Sequence, residues 1–218
     1  LTATFNEYRS ESEQTLSIAR FVDNLAAARL ADQQFRRAPS AETAQAMAQR
    51  TAALRVDDPA TMAAFADSSA WELLDSLGQN AIDYASAFER MTEQQALIDA
   101  QVADLTALGL TIRTNVAEAL QSAASSANFH ATTAAGFAVQ EIMLTQVNIE
   151  SFLLSNDTAL YEAAEAHAEN ASGRLETLIS AIFATAQKAH AQTLLDDVQA
   201  YRDQMAEVRN AILARNVI

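Results

Sequence analysis

Apolar residues recur along this chain at intervals of three and four residues, which is the spacing typical of amphipathic helices. One unbroken alternation of this kind runs over Leu77, Ala81, Tyr84, Phe88, Met91, Gln95, Ile98, Val102 and Leu105. A second runs over Leu175, Leu178, Ile182, Thr185 and Ala189, then slips through Gln192, Leu195 and Val198 to a stripe that carries Arg202 and Met205. Because such a slip rotates the buried face of a helix, we expect the last helix to serve two different bundles.

Helix breakers divide this pattern, and the chain has only four glycines and two prolines. Pro39 with Ser40 is typical of one helix ending and another beginning, as is Asp58 with Pro59. Gly109 between two leucines is typical of a left-handed C-cap, and Asn156-Asp157 of a stop followed by an N-cap. The predicted helices are 4–38, 41–56, 59–108, 111–130, 132–155 and 158–218. Neither glycine nor proline marks the break between 128 and 133. It is predicted because, with a break there, the summed lengths of the helices that run up the bundle and of those that run down it are nearly equal.

The predicted fold is all-α: an elongated antiparallel bundle of six helices, two long and four short, that form two stacked four-helix bundles. The lower module comprises about 1–78 plus 188–218, and the upper module about 79–187. Because successive helices run in opposite directions, both chain termini are expected at the same end of the bundle. Neither end carries a capping signal, so we expect a piece of a longer protein with flanking membrane helices. No stretch of the chain itself reaches the roughly 18 apolar residues that a span requires.

Composition narrows the class of function. Half of the residues are hydrophobic and 19% are charged, as in a folded globular protein. The formal net charge of −14 argues against nucleic acid and against an anionic membrane surface, because both need a basic face. The chain has no cysteine, which excludes disulfides and thiol chemistry.

Motifs for catalysis and for metal binding are absent from the sequence. None of His130, His167 and His190 follows a glutamate by three residues, as a di-iron bundle requires, and the three do not cluster as zinc ligands would. Four isolated glycines form no phosphate-binding loop or nucleophile elbow. We therefore predict no enzyme activity, no catalytic residue, no metal and no cofactor.

This architecture resembles the helical bimodular sensor domains of bacterial methyl-accepting chemotaxis receptors, which are shared with some sensor histidine kinases. The resemblance covers the whole chain and rests on its six helices, two long and four short, with both ends at one pole. It implies the periplasmic part of an inner-membrane receptor that forms homodimers. It also implies small-molecule sites inside the bundles, for organic acids or other polar metabolites, and signalling by helix displacement.

Polar residues on a predicted apolar stripe indicate where such a ligand would bind. Arg29 and Arg36 fall on the apolar face of the first helix with Asp32, and Arg202 comes level with them on the last helix. Three buried arginines would exceed their anionic partners, so we predict that a carboxylate ligand binds them. Organic-acid-binding members of the resembled family use arginines of the first and last helices. Dicarboxylate-binding members carry two closely spaced arginines on the first helix. In this chain the residue three positions after Arg29 is Asp32, which departs from that pattern.

Alternatives remain open for each of these residues. Arg29, Asp32 and Arg36 have the spacing of an ion cluster on a half-exposed face. Trp71, the only tryptophan, is a candidate ligand contact, a residue that flanks the core, or part of a dimer contact. Gln95 interrupts the central stripe and marks either a second pocket or a register contact. At the level of function, the alternatives are the sensor domain of a histidine kinase, or a structural or adaptor bundle without a small ligand.

Overall fold

The computed structural model describes residues 2–54, Phe65 and 71–218, and all regular structure in these ranges is helical. Six helices occupy them: α1 (Thr2–Arg37), α2 (Ala41–Ala52), α3 (Trp71–Ser125), α4 (Phe129–Ser155), α5 (Thr158–Ala181) and α6 (Thr185–Asn216). The predicted all-α bundle of six helices is confirmed. Among these described helices, none has the length and apolarity needed to cross a bilayer.

Local capping chemistry confirms two of the predicted boundaries. Ser40 caps α2: its hydroxyl accepts a hydrogen bond from the Thr43 N–H at 3.1 Å. Asn156 adopts the left-handed conformation after α4, with φ of 56°, and Asp157 then caps α5 by accepting from the Ala159 N–H at 3.0 Å. Both caps use groups within three residues, so the local sequence suffices to predict them. Helix α2 ends at Ala52 with Ala53 as its C-cap, so the predicted end at 56 is wrong by four residues. The predicted start at Asp58 and Pro59 lies outside the described residues.

The predicted break at Gly109 is wrong, because α3 passes through this glycine without a positive φ. The residue instead permits a close approach of two other helices. A Cβ atom at Gly109 would lie 3.0 Å from Cε2 of Tyr201 and 3.2 Å from Nε2 of Gln146. The Gln146 amide also donates a hydrogen bond to the Gly109 carbonyl at 2.6 Å. The glycine is therefore explained by contacts with residues that are distant along the chain, and not by the end of a helix.

The predicted helix 158–218 is also wrong, since it is divided at 182–184 into α5 and α6. Ile182 turns to extended backbone, with φ of −86° and ψ of 133°. The side chain of Asn128 donates to the Ala181 carbonyl at 2.8 Å, which satisfies one of the free acceptors at the end of α5. Asn128 also caps α4, so the break predicted between 128 and 133 exists, with α4 beginning three residues earlier than predicted.

The chain divides into two compact units, Leu1–Gln95 with Arg215–Ile218, and Ala96–Ala214. The predicted modules divide the chain elsewhere and stay a prediction. In the first unit, α1 packs on α2 and on the beginning of α3. Phe35 of α1 and Phe88 of α3 meet edge to face, with ring centroids 5.7 Å apart. A small buried cluster surrounds them: Ala31, Phe35, Met47, Phe88 and Met91.

The second unit is a four-helix-bundle-like assembly of the end of α3, α4, α5 and most of α6, joined by short loops. One continuous core runs through all four segments, from Ile98 to Ile212. Alanines contribute much of it, and Ala135, Ala138 and Ala164 have no exposed surface. Small side chains at these positions let the helix backbones approach each other closely.

Candidate ligand-binding site

A cleft of about 930 Å³ lies between α2 and the first part of α3, inside the first unit. Its lining comes from two helical faces: Ala44, Gln45, Ala48, Thr51 and Ala52 of α2, and Trp71, Leu74, Asp75, Gly78, Gln79, Ala81, Ile82, Ala85, Ser86, Phe88, Glu89 and Thr92 of α3. Ligand sites in proteins commonly enclose about 300 to 1,000 Å³, so this cleft is of suitable size.

Small residues of both helices contribute to the lining of the cleft. Ala44, Ala48 and Ala52 recur every four residues and so share one face of α2. Opposite them, Gly78 and Ala85 line the cleft from α3. The larger residues Met47 of α2 and Phe88 of α3 are buried in the adjoining core. The apolar residue Ile82 remains 60% exposed at the cleft.

The polar side chains among the described residues of the cleft are acidic or neutral. Asp75 and Glu89 supply carboxylates, and none of the described residues that line the cleft is basic. Several neutral groups already bond within their own helix: the hydroxyl of Thr51 donates to the Met47 carbonyl at 2.8 Å, and that of Thr92 to the Glu89 carbonyl at 2.7 Å. Among the described lining residues, these two carboxylates are therefore the charged groups available to a ligand.

Trp71, one of the residues predicted to contact a ligand, lines this cleft at the start of α3 and is partly buried. Gln45 also lines the cleft, from α2. Asp75 follows Trp71 by four residues, so their side chains are neighbours on one helical face. An aromatic face beside a carboxylate is thus the most distinctive chemical feature of the cleft.

Arg29 and Arg36 are exposed in the structure, although the apolar pattern of α1 predicts them on a buried face. The Arg36 guanidinium donates to the Asp32 carboxylate at 2.9 Å, which is the ion pair of the alternative interpretation. Both arginines are close enough to Tyr84 of α3 to influence it. Burial raises the pKa of Tyr84, Asp32 raises it further, and Arg36 and Arg29 act in the opposite direction.

Arg202 belongs to the second unit, whereas Arg29 and Arg36 belong to the first. Its guanidinium binds the Glu165 carboxylate of α5, with Nη2 to Oε1 at 2.5 Å and Nε to Oε1 at 3.1 Å. The apolar pattern predicts Arg202 on the buried stripe of its helix, but Tyr201 takes that position at 6% exposure. The anion-binding layer of the three arginines stays a prediction, while the described partners of two of them are carboxylates of this chain.

Gln95 accepts a hydrogen bond from Nη1 of Arg215, and both residues belong to the first unit. Arg215 is only 5% exposed and also donates to the Asn216 side chain. It continues the buried stripe of α6 after Val208 and Ile212 at the same 4-3 spacing, and this signal is present in the sequence. Gln95 therefore binds a buried arginine. The second pocket at Gln95 stays a prediction.

The remaining polar contacts provide no metal site within the described ranges. His167 Nδ1 lies 2.6 Å from a Glu141 carboxylate oxygen between α5 and α4. The described histidines and carboxylates form no group of three or more that could hold an ion.

Comparisons of the chain with protein-family models, with curated proteins and with solved structures found no match. Function is therefore inferred from the cleft and from the helices that form it.

Proposed function

We propose that this chain is the ligand-binding sensor domain of a transmembrane chemoreceptor, located in the periplasm and paired as a homodimer in the parent protein. Its ligand is a small molecule that binds between α2 and α3. The observation that carries the proposal is the cleft of about 930 Å³, with Trp71 and two carboxylates in its lining. The resemblance in all-α, six-helix architecture supports the receptor context.

The length of α3 is consistent with a role in transmission. This helix begins at the cleft with Trp71 and continues without a break to Ser125, over 55 residues. At 1.5 Å per residue it extends roughly 80 Å. A ligand that changes the packing of α2 against the first turns of α3 acts on one end of a continuous element.

An adaptor bundle remains the second candidate because of one exposed face on α4. Met143, Val147 and Leu154 are separated by four and seven residues, so they lie on one side of the helix. They are exposed by 53%, 58% and 89%. An apolar face of this kind is what a protein partner would cover, whereas a cleft with a few polar groups in an apolar lining favours a small ligand.

A thermal-shift screen with anionic, cationic and neutral metabolites tests the sensor proposal. A ligand at about a hundred times its dissociation constant stabilises the folded state by roughly 2.7 kcal/mol. We expect Ala48→Phe to remove the shift, because the added ring fills the cleft from α2. Gln49→Phe is the matched control, since Gln49 is exposed on the same helix and does not line the cleft.

Two other outcomes would redirect the proposal. If Ala48→Phe retains the shift while Arg29→Ala and Arg202→Ala lose it, the ligand is the anion predicted from the arginines. If no compound of any charge stabilises the protein, the sensor proposal is contradicted and the exposed face of α4 becomes the principal functional surface.

A further inference from the structure

The distribution of charge in the cleft bears on the class of ligand. Its described lining contains the carboxylates of Asp75 and Glu89 and no basic side chain. The whole chain carries a formal net charge of −14, which adds a negative background. A carboxylate ligand would meet repulsion here, because like charges in one site disfavour each other.

The two carboxylates are far apart along α3. Fourteen residues separate Asp75 from Glu89, which corresponds to roughly 21 Å of helix. Only Asp75 is a near neighbour of Trp71, at the i to i+4 spacing. A small charged group can therefore contact Asp75 and Trp71 together, but it cannot contact Glu89 at the same time.

Trp71 and Asp75 complement the same kind of group. The face of an indole ring attracts a cation, and tryptophan is the best of the aromatic residues for this interaction. A carboxylate beside the ring adds attraction of the same sign. Apolar lining continues from Trp71 along the cleft through Leu74 and Ile82, so the rest of the ligand can be uncharged and apolar.

We infer that the cleft binds an organic cation, an amine or a quaternary ammonium compound, whose charged end lies against Trp71 and Asp75. This inference rests on the proposed function and specifies its ligand class. It differs from the anionic ligand that Arg29, Arg36 and Arg202 predict. The carboxylate partners of Arg36 and Arg202, Asp32 and Glu165, are consistent with that difference.

The only tryptophan of the chain lies in this cleft, so its fluorescence reports binding there. The test titrates the whole chain with three probes of similar shape at constant ionic strength: choline, the neutral 3,3-dimethylbutan-1-ol and the anionic 3,3-dimethylbutanoate. We expect saturable binding of choline that is at least about fivefold tighter than binding of the alcohol, from the cation–π and carboxylate contacts. The carboxylate probe should bind most weakly.

Two matched variants locate the charged end. Asp75→Asn should weaken choline binding by about threefold and leave the alcohol unchanged, since only the cation contacts the carboxylate. Glu89→Gln removes an equal charge from the same cleft, roughly 21 Å away along α3, and should change choline binding by less than about twofold. Far-ultraviolet circular dichroism verifies that each variant is folded.

The possible failures are distinct. Absence of saturable choline binding, or equal weakening by Asp75→Asn and Glu89→Gln, overturns the inference. Binding of the alcohol or of 3,3-dimethylbutanoate as tightly as choline also overturns it, while the proposed small-molecule function stands. If in addition no compound of the wider thermal-shift screen binds, the proposed function fails with it.

Discussion

Gly109 occupies the interior of a 55-residue helix, where glycine is normally among the least favourable residues. Its neighbours explain its presence. Tyr201 is 6% exposed and its ring lies where a Cβ atom would make a 3.0 Å contact. Gln146 binds the carbonyl of the same residue. The absent side chain is therefore what allows α4 and α6 to pack closely on α3.

We expect Gly109→Ala to lower the free energy of unfolding by about 1–3 kcal/mol, because the added methyl group overpacks a buried contact. Gly173→Ala is the control. Gly173 lies inside α5, and a Cβ atom there would meet no other part of the fold within 4 Å, so alanine should stabilise by about 0.5–1 kcal/mol. Urea unfolding followed by circular dichroism measures both. A stabilising Gly109→Ala would show that the contact relaxes without cost.

Tyr201 makes the stability of the second unit depend on pH in the alkaline range. Burial raises the pKa of its hydroxyl to about 12, and the nearby Glu150 carboxylate contributes to this rise. In the unfolded chain tyrosine ionises near pH 10. The unfolded state therefore loses its proton first, and the stabilisation, complete below pH 10, is lost as the pH rises from about 10 to about 12.

Between pH 9 and pH 12 we expect the free energy of unfolding to fall by roughly 2–3 kcal/mol on account of Tyr201. Tyr201→Phe keeps the ring and has no ionisable hydroxyl, so its stability should fall less over the same interval. Chemical denaturation at a series of pH values compares the two proteins. Parallel pH profiles would mean that another group, such as Tyr84 or Tyr161, dominates the alkaline loss.

Among the helices, alanine has opposite consequences in the two units. In the second unit, alanines such as Ala135 and Ala164 are fully buried because four helical segments close over them. In the first unit, Ala48 and Ala52 are exposed along the cleft. The same small side chain is thus part of a close-packed core in one unit and of the lining of a cleft in the other.

Asn128 joins two helix ends, since it caps the start of α4 and binds the last carbonyl of α5. We expect Asn128→Ala to destabilise the protein by about 2 kcal/mol, because both hydrogen bonds are lost. Asp157→Ala removes a single capping bond, to the Ala159 N–H, and should cost about 1 kcal/mol. Thermal unfolding of the two variants gives the comparison. Equal losses would mean that the bond to Ala181 contributes nothing measurable.

Across the molecule, the two units differ in how their buried residues are connected. The second unit has one continuous core, from Ile98 to Ile212. The described part of the first unit has two small clusters, one around Phe35 and Phe88 and the other around Ala28, Leu54 and Ala81. Local stability follows the extent of buried apolar contact, so the two units should open with different free energies.

Hydrogen exchange measured by mass spectrometry tests this difference. We expect amides in the middle of α4, around Ala138 to Ile149, to exchange at least about tenfold more slowly than those in the middle of α2. Both segments are helical and hydrogen-bonded, so the comparison isolates tertiary stability. Exchange of both segments in denaturant provides the reference rates. Equal protection would mean that the two units unfold as one.

Features whose partners are close along the chain could be predicted from the sequence. The helical stripe from Ala81 to Leu105 follows from local periodicity. The cap at Ser40 and the stop at Asn156 and Asp157 use groups within a few residues. Helix propensity and capping depend on residues that are close along the chain, so helices and their ends can be predicted from the local sequence.

Features whose partners are distant along the chain emerged only once the helices were packed. Gly109 meets Gln146, 37 residues away, and Asn128 meets Ala181, 53 residues away. Arg202 finds Glu165 at a separation of 37 residues, which no helical stripe could predict. The cleft likewise depends on a pairing of two helices, since α2 and α3 both line it. Such pairings depend on which helices become neighbours, and a single sequence specifies this through the whole core rather than through any local pattern.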